Sequence, residues 1–157
     1  MLREIFIIGI GGQGALTIGE ILLIAANKKN YGASFYPFYG SQMRGGEAGC
    51  IVKIDTNGDD ILNPTVNSPD DFIILSDKFF DKYKKFENPS SKYYKYDEKN
   101  IEGLQDIDVK KNLNILILKK YIKDCDIFND DEIIEAIKEK FKKEEVYASK
   151  IDIYNRG

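Results

Sequence analysis

The chain has 157 residues, 43% of them apolar and 31% charged, with a formal net charge of −3 and no histidine. This composition predicts a single globular domain spanning residues 1–157, and the acidic balance argues against a nucleic-acid partner, which requires a basic face. Cys50 and Cys125 cannot supply a full ligand set for an iron–sulfur cluster or a structural zinc ion, and a nucleophile activated by histidine is excluded.

Apolar runs separated by glycines predict alternating strands and helices in the first half of the chain. In order, these are strand 3–8, the glycine turn 9–14, helix 15–26, strand 33–38 and strand 49–55. Gly32 is predicted to take the left-handed position that ends the helix. The helix is too short to span a bilayer and no signal peptide is expected, so the chain is predicted to be cytoplasmic, with reduced thiols and no membrane partner.

The second half carries fewer regular patterns, and Asn57-Gly58 predicts a hairpin turn at its start. The later elements are strand 71–75, a segment with helical spacing at 78–86, an irregular connection at 87–100, an apolar run at 113–122 that fits strand or helix, and helix 129–141. Asn129 and Glu132 are predicted to cap the last helix. Strand, helix and strand in succession predict an α/β, Rossmann-like fold with a mostly parallel sheet flanked by helices.

The first glycine turn, Gly9-Ile10-Gly11-Gly12-Gln13-Gly14, has the spacing of a dinucleotide-binding fingerprint. That fingerprint also requires an acidic residue at the end of the next strand, where it holds the ribose hydroxyls. No Asp or Glu occurs between Glu20 and Glu47. A stand-alone NAD- or FAD-binding oxidoreductase is therefore an alternative interpretation. The backbone N–H groups at this helix N-terminus would suit an anion or a partner's loop, and Gln13 is balanced between packing and function.

A second glycine-rich segment, YGSQMRGGEAG, spans residues 39–49. Glycine pairs let a backbone approach another surface closely, and the Arg44 guanidinium can bind a carboxylate or a phosphate. Because this segment follows a strand end, we expect it at the same sheet edge as the first glycine turn; a flexible surface loop is the simpler alternative. The candidate interface and anion-binding residues are Gly9, Gly11, Gly12, Gln13, Gly14, Tyr39, Gly40, Arg44, Gly45 and Gly46. No catalytic residue or metal ligand is assigned.

Three segments in order, GIGGQG, YGSQMRGGEA and ILNPTVNSPDDFIIL, resemble the gamma subunit or domain of 2-oxoacid:ferredoxin (or flavodoxin) oxidoreductases. In that family a G-x-G-G-Q-G turn precedes a Y-G-x-x-x-R-G-G loop and a strand introduced by Pro-Asp, which is Pro69-Asp70 here. The resemblance is detailed in the first half and looser toward the final KIDIYNRG. The loop is more similar to 2-oxoglutarate and general 2-oxoacid members than to indolepyruvate enzymes, with pyruvate and branched-chain oxoacids left open.

The resemblance implies an enzyme that decarboxylates a 2-oxoacid with thiamine diphosphate and magnesium and forms an acyl-CoA from coenzyme A. It implies that electrons pass through iron–sulfur clusters to ferredoxin or flavodoxin, and that alpha, beta and ferredoxin-like delta subunits hold these cofactors. This chain would supply subunit contacts and a wall near the substrate and coenzyme A side, with Arg44 fixing an anionic group or an acidic partner residue. A non-catalytic anion-binding or scaffolding domain is the second alternative.

Overall fold

The computed structural model describes residues 1–41, 45–96 and 103–157. Arg44, the central candidate of the second glycine segment, therefore lies outside the described residues. In chain order the elements are β1 (Leu2–Ile10), α1 (Ala15–Lys28), β2 (Gly32–Tyr39), β3 (Glu47–Asp55), β4 (Asp71–Ile74), 3₁₀ turns at Asp77–Phe79 and Asp81–Phe86, β5 (Lys92–Lys95), α2 (Val109–Asp124), α3 (Asp130–Phe141) and α4 (Glu144–Arg156).

The strands form one sheet in the order β2-β3-β1-β4-β5. β1 pairs in parallel with β4, and β4 with β5, whereas β3 is antiparallel to both β1 and β2. The α/β class with flanking helices is confirmed, and the sheet is mixed instead of mostly parallel. The cause is the short connection at 40–46, since a parallel connection needs a crossover of a dozen or more residues.

The sheet separates two apolar clusters, and β1 contributes to both. Ile5 and Ile7 belong to the larger cluster, which includes residues from all four helices. Phe6 and Ile8 belong to a smaller, largely aromatic cluster on the opposite face, where the 3₁₀ turns at 77–86 cover the sheet. β1 is thus buried on both faces, as its apolar run predicts.

Two turn predictions are corrected by the backbone. Asn30, with φ 56°, takes the left-handed position after α1, while Gly32 opens β2. A Cβ on Gly32 would lie 1.8 Å from the backbone oxygen of Asp59, so close approach of two chain segments explains that glycine. A turn does form at Asn57-Gly58, but β4 pairs with β1 and not with β3, so no hairpin results.

The later segments differ from expectation in three places. The ambiguous run 113–122 is helical, inside α2, whose first turn is capped by the Asp108 side chain. The irregular connection 87–100 contains β5, and the segment 78–86 forms 3₁₀ turns. The Asn129–Glu132 capping box is present as predicted. Within the described ranges, no helix has the length and apolar character needed to cross a membrane.

Candidate functional site

The two glycine-rich segments meet at one edge of the sheet. The carboxyl ends of β1 and β2 and the amino end of β3 converge there, because β3 runs antiparallel to its neighbours. The backbone N–H of Gly11 donates a hydrogen bond to the carbonyl of Gly46 over 2.9 Å. For the described residues, the structure therefore brings the first glycine turn and the second glycine segment into direct contact, as the sequence predicts.

A cleft of about 590 Å³ opens between these segments and the start of α1. Its lining residues are Ile10, Gly11, Gly12, Gly14, Ala15, Leu16, Tyr39, Gly40, Ser41, Gly46, Glu47 and Ala48. Six of the ten predicted site residues are among them. Gly9, Gln13 and Gly45 are next to lining residues in the sequence. The walls are mostly small or apolar, which suits the close approach of a flat or backbone-rich surface.

Two glycines of the first turn have left-handed backbones, and they differ in their surroundings. Gly12 has φ 93° and no described atom within 4 Å of the position a Cβ would take. Gly14 has φ 82°, and a Cβ there would lie 2.3 Å from the Asn114 side-chain nitrogen. Gly14 therefore serves both the turn and the packing of α2 against α1, whereas Gly12 serves the turn alone.

The amino end of α1 faces this cleft with its backbone donors. Gly14 precedes the helix, and among the described residues no side chain caps it. The first turn contains no acidic residue, so no carboxylate of the helix itself neutralises the positive end of its dipole. This arrangement favours a negatively charged or carbonyl group from outside.

The Gln13 side chain braces the turn internally. Its Oε1 accepts a hydrogen bond from the Ile10 N–H over 2.7 Å, and its Nε2 lies 3.5 Å from the Leu75 carbonyl. A Cβ on Gly9 would lie 2.8 Å from the same Oε1. The structure thus gives Gln13 and Gly9 a packing role between β1 and the end of β4.

Glu47 was missed by sequence reasoning although it lines the cleft. Its side chain is 6% exposed and forms an ion pair with Lys82 and a hydrogen bond with the Tyr83 hydroxyl. The Glu47 carbonyl also accepts a hydrogen bond from the Gly40 N–H over 2.8 Å. The only sequence signal was an acid inside a glycine-rich segment. Glu47 ties that segment to the 3₁₀ turns on the other face of the sheet.

A dinucleotide site of the Rossmann type does not fit this edge. Because β3 lies between β1 and β2, the end of β2 is two strands, or about 10 Å, away from the glycine turn. The last residues of β2 are Tyr36, Pro37, Phe38 and Tyr39, and none of them can accept hydrogen bonds from ribose hydroxyls as a carboxylate does. Tyr39 is instead 69% exposed at the rim of the cleft.

Cys50 lies below the cleft in the core of the sheet. It is fully buried, and its thiol lies 3.6 Å from the Ala15 carbonyl. Burial raises the pKa of the Cys50 thiol, which keeps it protonated at neutral pH. A buried thiol of this kind does not act as a nucleophile or as a metal ligand.

The opposite edge of the sheet is closed by buried charges. Arg3 lies 3.3 Å from a carboxylate oxygen of Asp71, and the Tyr121 hydroxyl donates to the same oxygen over 3.2 Å. Arg3 also pairs with Asp126 at 2.6 Å. Asp71 is 1% exposed, and burial raises its pKa although the attraction of Arg3 opposes that shift.

Sequence comparison matches residues 4–116 to the family described as pyruvate ferredoxin/flavodoxin oxidoreductase. Ketoisovalerate oxidoreductase subunit VorA of Methanothermobacter thermautotrophicus is 38% identical over 77 residues, which cover 49% of this chain and 16% of VorA. 2-Oxoglutarate synthase subunit KorC of Methanocaldococcus jannaschii is 39% identical over 85 residues, covering 54% of this chain and 44% of KorC. The matched region is thus less than half the length of either relative.

Solved structures share the fold. A 2-oxoglutarate:ferredoxin oxidoreductase from Magnetococcus marinus, solved with 2-oxoglutarate, coenzyme A and succinyl-CoA, has a TM-score of 0.80 at 16% identity, covering 99% of this chain and 30% of its own. Pyruvate oxidoreductase subunit PORC from Thermotoga maritima scores 0.68 at 18% identity, with 99% and 94% coverage. A keto/oxoacid ferredoxin oxidoreductase gamma subunit from Geobacter sulfurreducens scores 0.69 at 18% identity, with 98% and 97% coverage.

Proposed function

The chain belongs to the pyruvate ferredoxin/flavodoxin oxidoreductase family, and we propose that it is the gamma-type subunit of a multisubunit 2-oxoacid:ferredoxin (or flavodoxin) oxidoreductase. The observation that carries this proposal is the bond between Gly11 and Gly46, which joins the two glycine motifs of the resemblance at one cleft. The identity to VorA and KorC, both subunits of oxoacid enzymes by name, supports it.

The redox and decarboxylation chemistry belongs, in this proposal, to partner subunits. The chain contains two cysteines and no histidine, too few for a cluster, and Cys50 is buried with a raised pKa. Thiamine diphosphate, magnesium and the iron–sulfur clusters would therefore lie on alpha, beta and ferredoxin-like delta subunits, and ferredoxin or flavodoxin would accept the electrons. The free thiols of Cys50 and Cys125 favour a reducing, cytoplasmic setting.

The glycine cleft would be the surface that meets those subunits near the substrate and coenzyme A. Small side chains let a partner's backbone approach closely, and the uncapped α1 N-terminus offers N–H donors to an acidic or carbonyl group. In the sequence Arg44 stands between Ser41 and Gly46, which line this cleft. It would bind an anionic group of coenzyme A, of the substrate or of a partner residue. The residues of this chain would bind and orient an anionic group of coenzyme A, of the substrate or of a partner residue, and would exclude water. The thiamine cofactor would supply the carbanion chemistry.

The substrate of the complex is proposed to be 2-oxoglutarate or a similar 2-oxoacid, from the form of the second glycine segment. The names of the relatives cover 2-oxoglutarate and ketoisovalerate. The test is co-expression with the alpha and beta subunits of an oxidoreductase of this family, followed by acyl-CoA formation from a panel of 2-oxoacids with a viologen acceptor. Activity only in the presence of this chain supports the proposal. Full activity without it, or NAD reduction by the chain alone, contradicts it.

Replacing Arg44 tests the anionic contact within that complex. Arg44→Ala is expected to weaken acyl-CoA formation or subunit association by roughly tenfold or more, because a bidentate charged contact is lost. Arg44→Lys is the matched control, which keeps the charge but not the planar fork, and we expect an intermediate effect. Unchanged assembly and turnover in Arg44→Ala would refute this role.

A further inference from the structure

Glu47 places a carboxylate on the sheet face that carries the smaller, largely aromatic cluster. It begins β3, and the alternation of side chains along a strand puts it on the same face as Ile51 of that cluster. Its side chain is only 6% exposed. Burying a carboxylate costs free energy, and an apolar residue is often as stable in such a place as a buried ion pair. Stability alone therefore does not explain the carboxylate at this position.

Both carboxylate oxygens of Glu47 are bound by the 3₁₀ turn that covers this face. Lys82 forms an ion pair with Oε2, and the Tyr83 hydroxyl donates a hydrogen bond to Oε1. The Tyr83 ring is itself fixed, since its centroid lies 4.7 Å from that of Phe6 and 5.7 Å from that of Phe38. Lys82 is 57% exposed, so water can hydrate its ammonium when the pair is broken. The Tyr83 hydroxyl is thus the more rigid of the two contacts.

The backbone around Glu47 joins the two ends of the second glycine segment to the rest of the sheet. The Gly40 N–H donates to the Glu47 carbonyl over 2.8 Å, and a Cβ on Gly40 would lie 3.1 Å from the Cβ of Glu47. At the other end, the Gly46 carbonyl accepts from the Gly11 N–H over 2.9 Å. Both bonds depend on where the start of β3 lies, which is also the part of the chain that the Glu47 side chain fixes.

The same covering turns contact the glycine segment at a second point. The Lys78 ammonium donates to the Gly45 carbonyl over 3.2 Å. A smaller cleft of about 180 Å³ lies between the turns and the segment, and Glu47 lines this cleft as well as the glycine cleft. The turns therefore support the glycine segment from behind, through one lysine at Gly45 and through the carboxylate of Glu47.

We propose that Glu47 is a positioning residue. Its carboxylate, bound by Lys82 and Tyr83, fixes the start of β3 and so keeps the second glycine segment in the arrangement that the partner subunit meets. The inference rests on the proposed function for the identity of that partner. Glu47 acts through the backbone bonds at Gly40 and Gly46, so its loss is felt first at those bonds and only secondarily in the stability of the whole domain.

The test removes one hydroxyl and leaves the packing in place. Tyr83→Phe deletes the donor to Glu47 and keeps the ring on Phe6 and Phe38. Tyr154→Phe is the matched control, because the Tyr154 hydroxyl donates to a carboxylate oxygen of Asp130 over 2.7 Å on the helical side of the sheet. Each variant loses one hydrogen bond from a tyrosine to a carboxylate, so a purely stabilising role predicts the same consequences for both.

Two measurements distinguish positioning from stability. In the full chain alone, NMR-detected exchange of the Gly11 and Gly40 amides, whose acceptors are the Gly46 and Glu47 carbonyls, should be about tenfold faster in Tyr83→Phe. The affinity of the alpha and beta subunits for this chain should fall about tenfold in the same variant. Tyr154→Phe should change neither quantity. Glu47→Gln keeps an acceptor for the hydroxyl and loses the charge, and should have an intermediate effect on both.

The outcomes separate this inference from the proposed function. If the wild type binds the alpha and beta subunits but Tyr83→Phe leaves the exchange of both glycine amides unchanged, the inference is overturned and the proposed function stands. Faster exchange with unchanged affinity, or an equal loss of affinity in both tyrosine variants, also overturns the inference. If the wild type binds neither subunit, the proposed function fails, and the exchange of the two amides alone decides whether Glu47 positions the segment.

Discussion

The two edges of the sheet are formed by different kinds of groups. At the carboxyl end of β1, glycines and backbone groups line an open cleft, and the contact between the segments is a main-chain hydrogen bond from Gly11 to Gly46. At the amino end, Arg3, Asp71 and Tyr121 close the edge with a buried ionic network. The first edge keeps its polar groups available to a partner, and the second uses its polar groups internally. Function is expected at the first and stability at the second.

The largest expected effect on stability lies at the glycine turn. It distinguishes the cost of a side-chain clash from the cost of a left-handed backbone. Gly14→Ala should lower the free energy of unfolding by roughly 3 kcal/mol, because the Cβ meets Asn114 and the backbone is left-handed. Gly12→Ala is the matched control, with a similar φ and open space around it, and should cost about 1 kcal/mol. Urea unfolding measures both. Equal costs for the two variants would refute the steric part of the account.

At the other edge, Asp71→Ala should lower the free energy of unfolding by roughly 2–3 kcal/mol, because the charge of Arg3 and the hydroxyl of Tyr121 lose a buried partner. Asp71→Asn is the conservative variant, since it keeps an acceptor and removes the charge. An Asp71→Ala variant as stable as the wild type would show that the network does not stabilise this edge.

The pH dependence of the same pair has a defined sign. The pKa of Asp71 is raised above 3.8 in the folded state, so the folded protein binds a proton there more tightly than the unfolded chain. The wild type should therefore gain stability relative to Asp71→Asn as pH falls from the raised pKa toward 3.8, with no further change below that. Unfolding at several pH values tests this; a gain on raising the pH would show that the attraction of Arg3 outweighs the cost of burying the charge of Asp71.

A smaller effect than that of Gly14→Ala or Asp71→Ala is expected for Gln13, and it tests whether this residue of the open edge packs the turn or binds a partner. Gln13→Ala should lower the free energy of unfolding by about 1–2 kcal/mol, because the Ile10 N–H loses its acceptor. Acyl-CoA formation by the assembled complex should be unchanged once the variant is folded. A loss of turnover without a loss of stability would move Gln13 from packing to function.

The sequence locates the open edge because both of its segments are recognisable by their closely spaced glycines. β1, α1 and the meeting of the two segments follow from local spacing and from the rule that a loop stays near the strand end it leaves. The insertion of β3 between β1 and β2 is not local, since pairing order depends on the whole sheet. That insertion is what removes the ribose position from the glycine turn.

Other features were hidden because their environment comes from distant parts of the chain. β5 lies in a polar stretch, and it is a strand because Tyr94 packs on Tyr121 and Tyr93 on Phe72. Asp71 reads as the polar start of a strand, and its burial depends on Arg3 and α2. Glu47 looks like a loop acid until Lys82 and Tyr83 cover it.

Amide hydrogen exchange tests the central claim, that the glycine edge is a subunit contact, most directly. The chain is compared alone and assembled with the large oxidoreductase subunits, by peptides covering residues 9–17 and 45–49 at the open edge and residues 2–5 at the closed edge. We predict slower exchange on assembly in the first two peptides, whose glycine and helix N-terminal amides become covered, and no change in the third. Assembly without slowing at the glycine edge, or with slowing confined to residues 2–5, would contradict this claim.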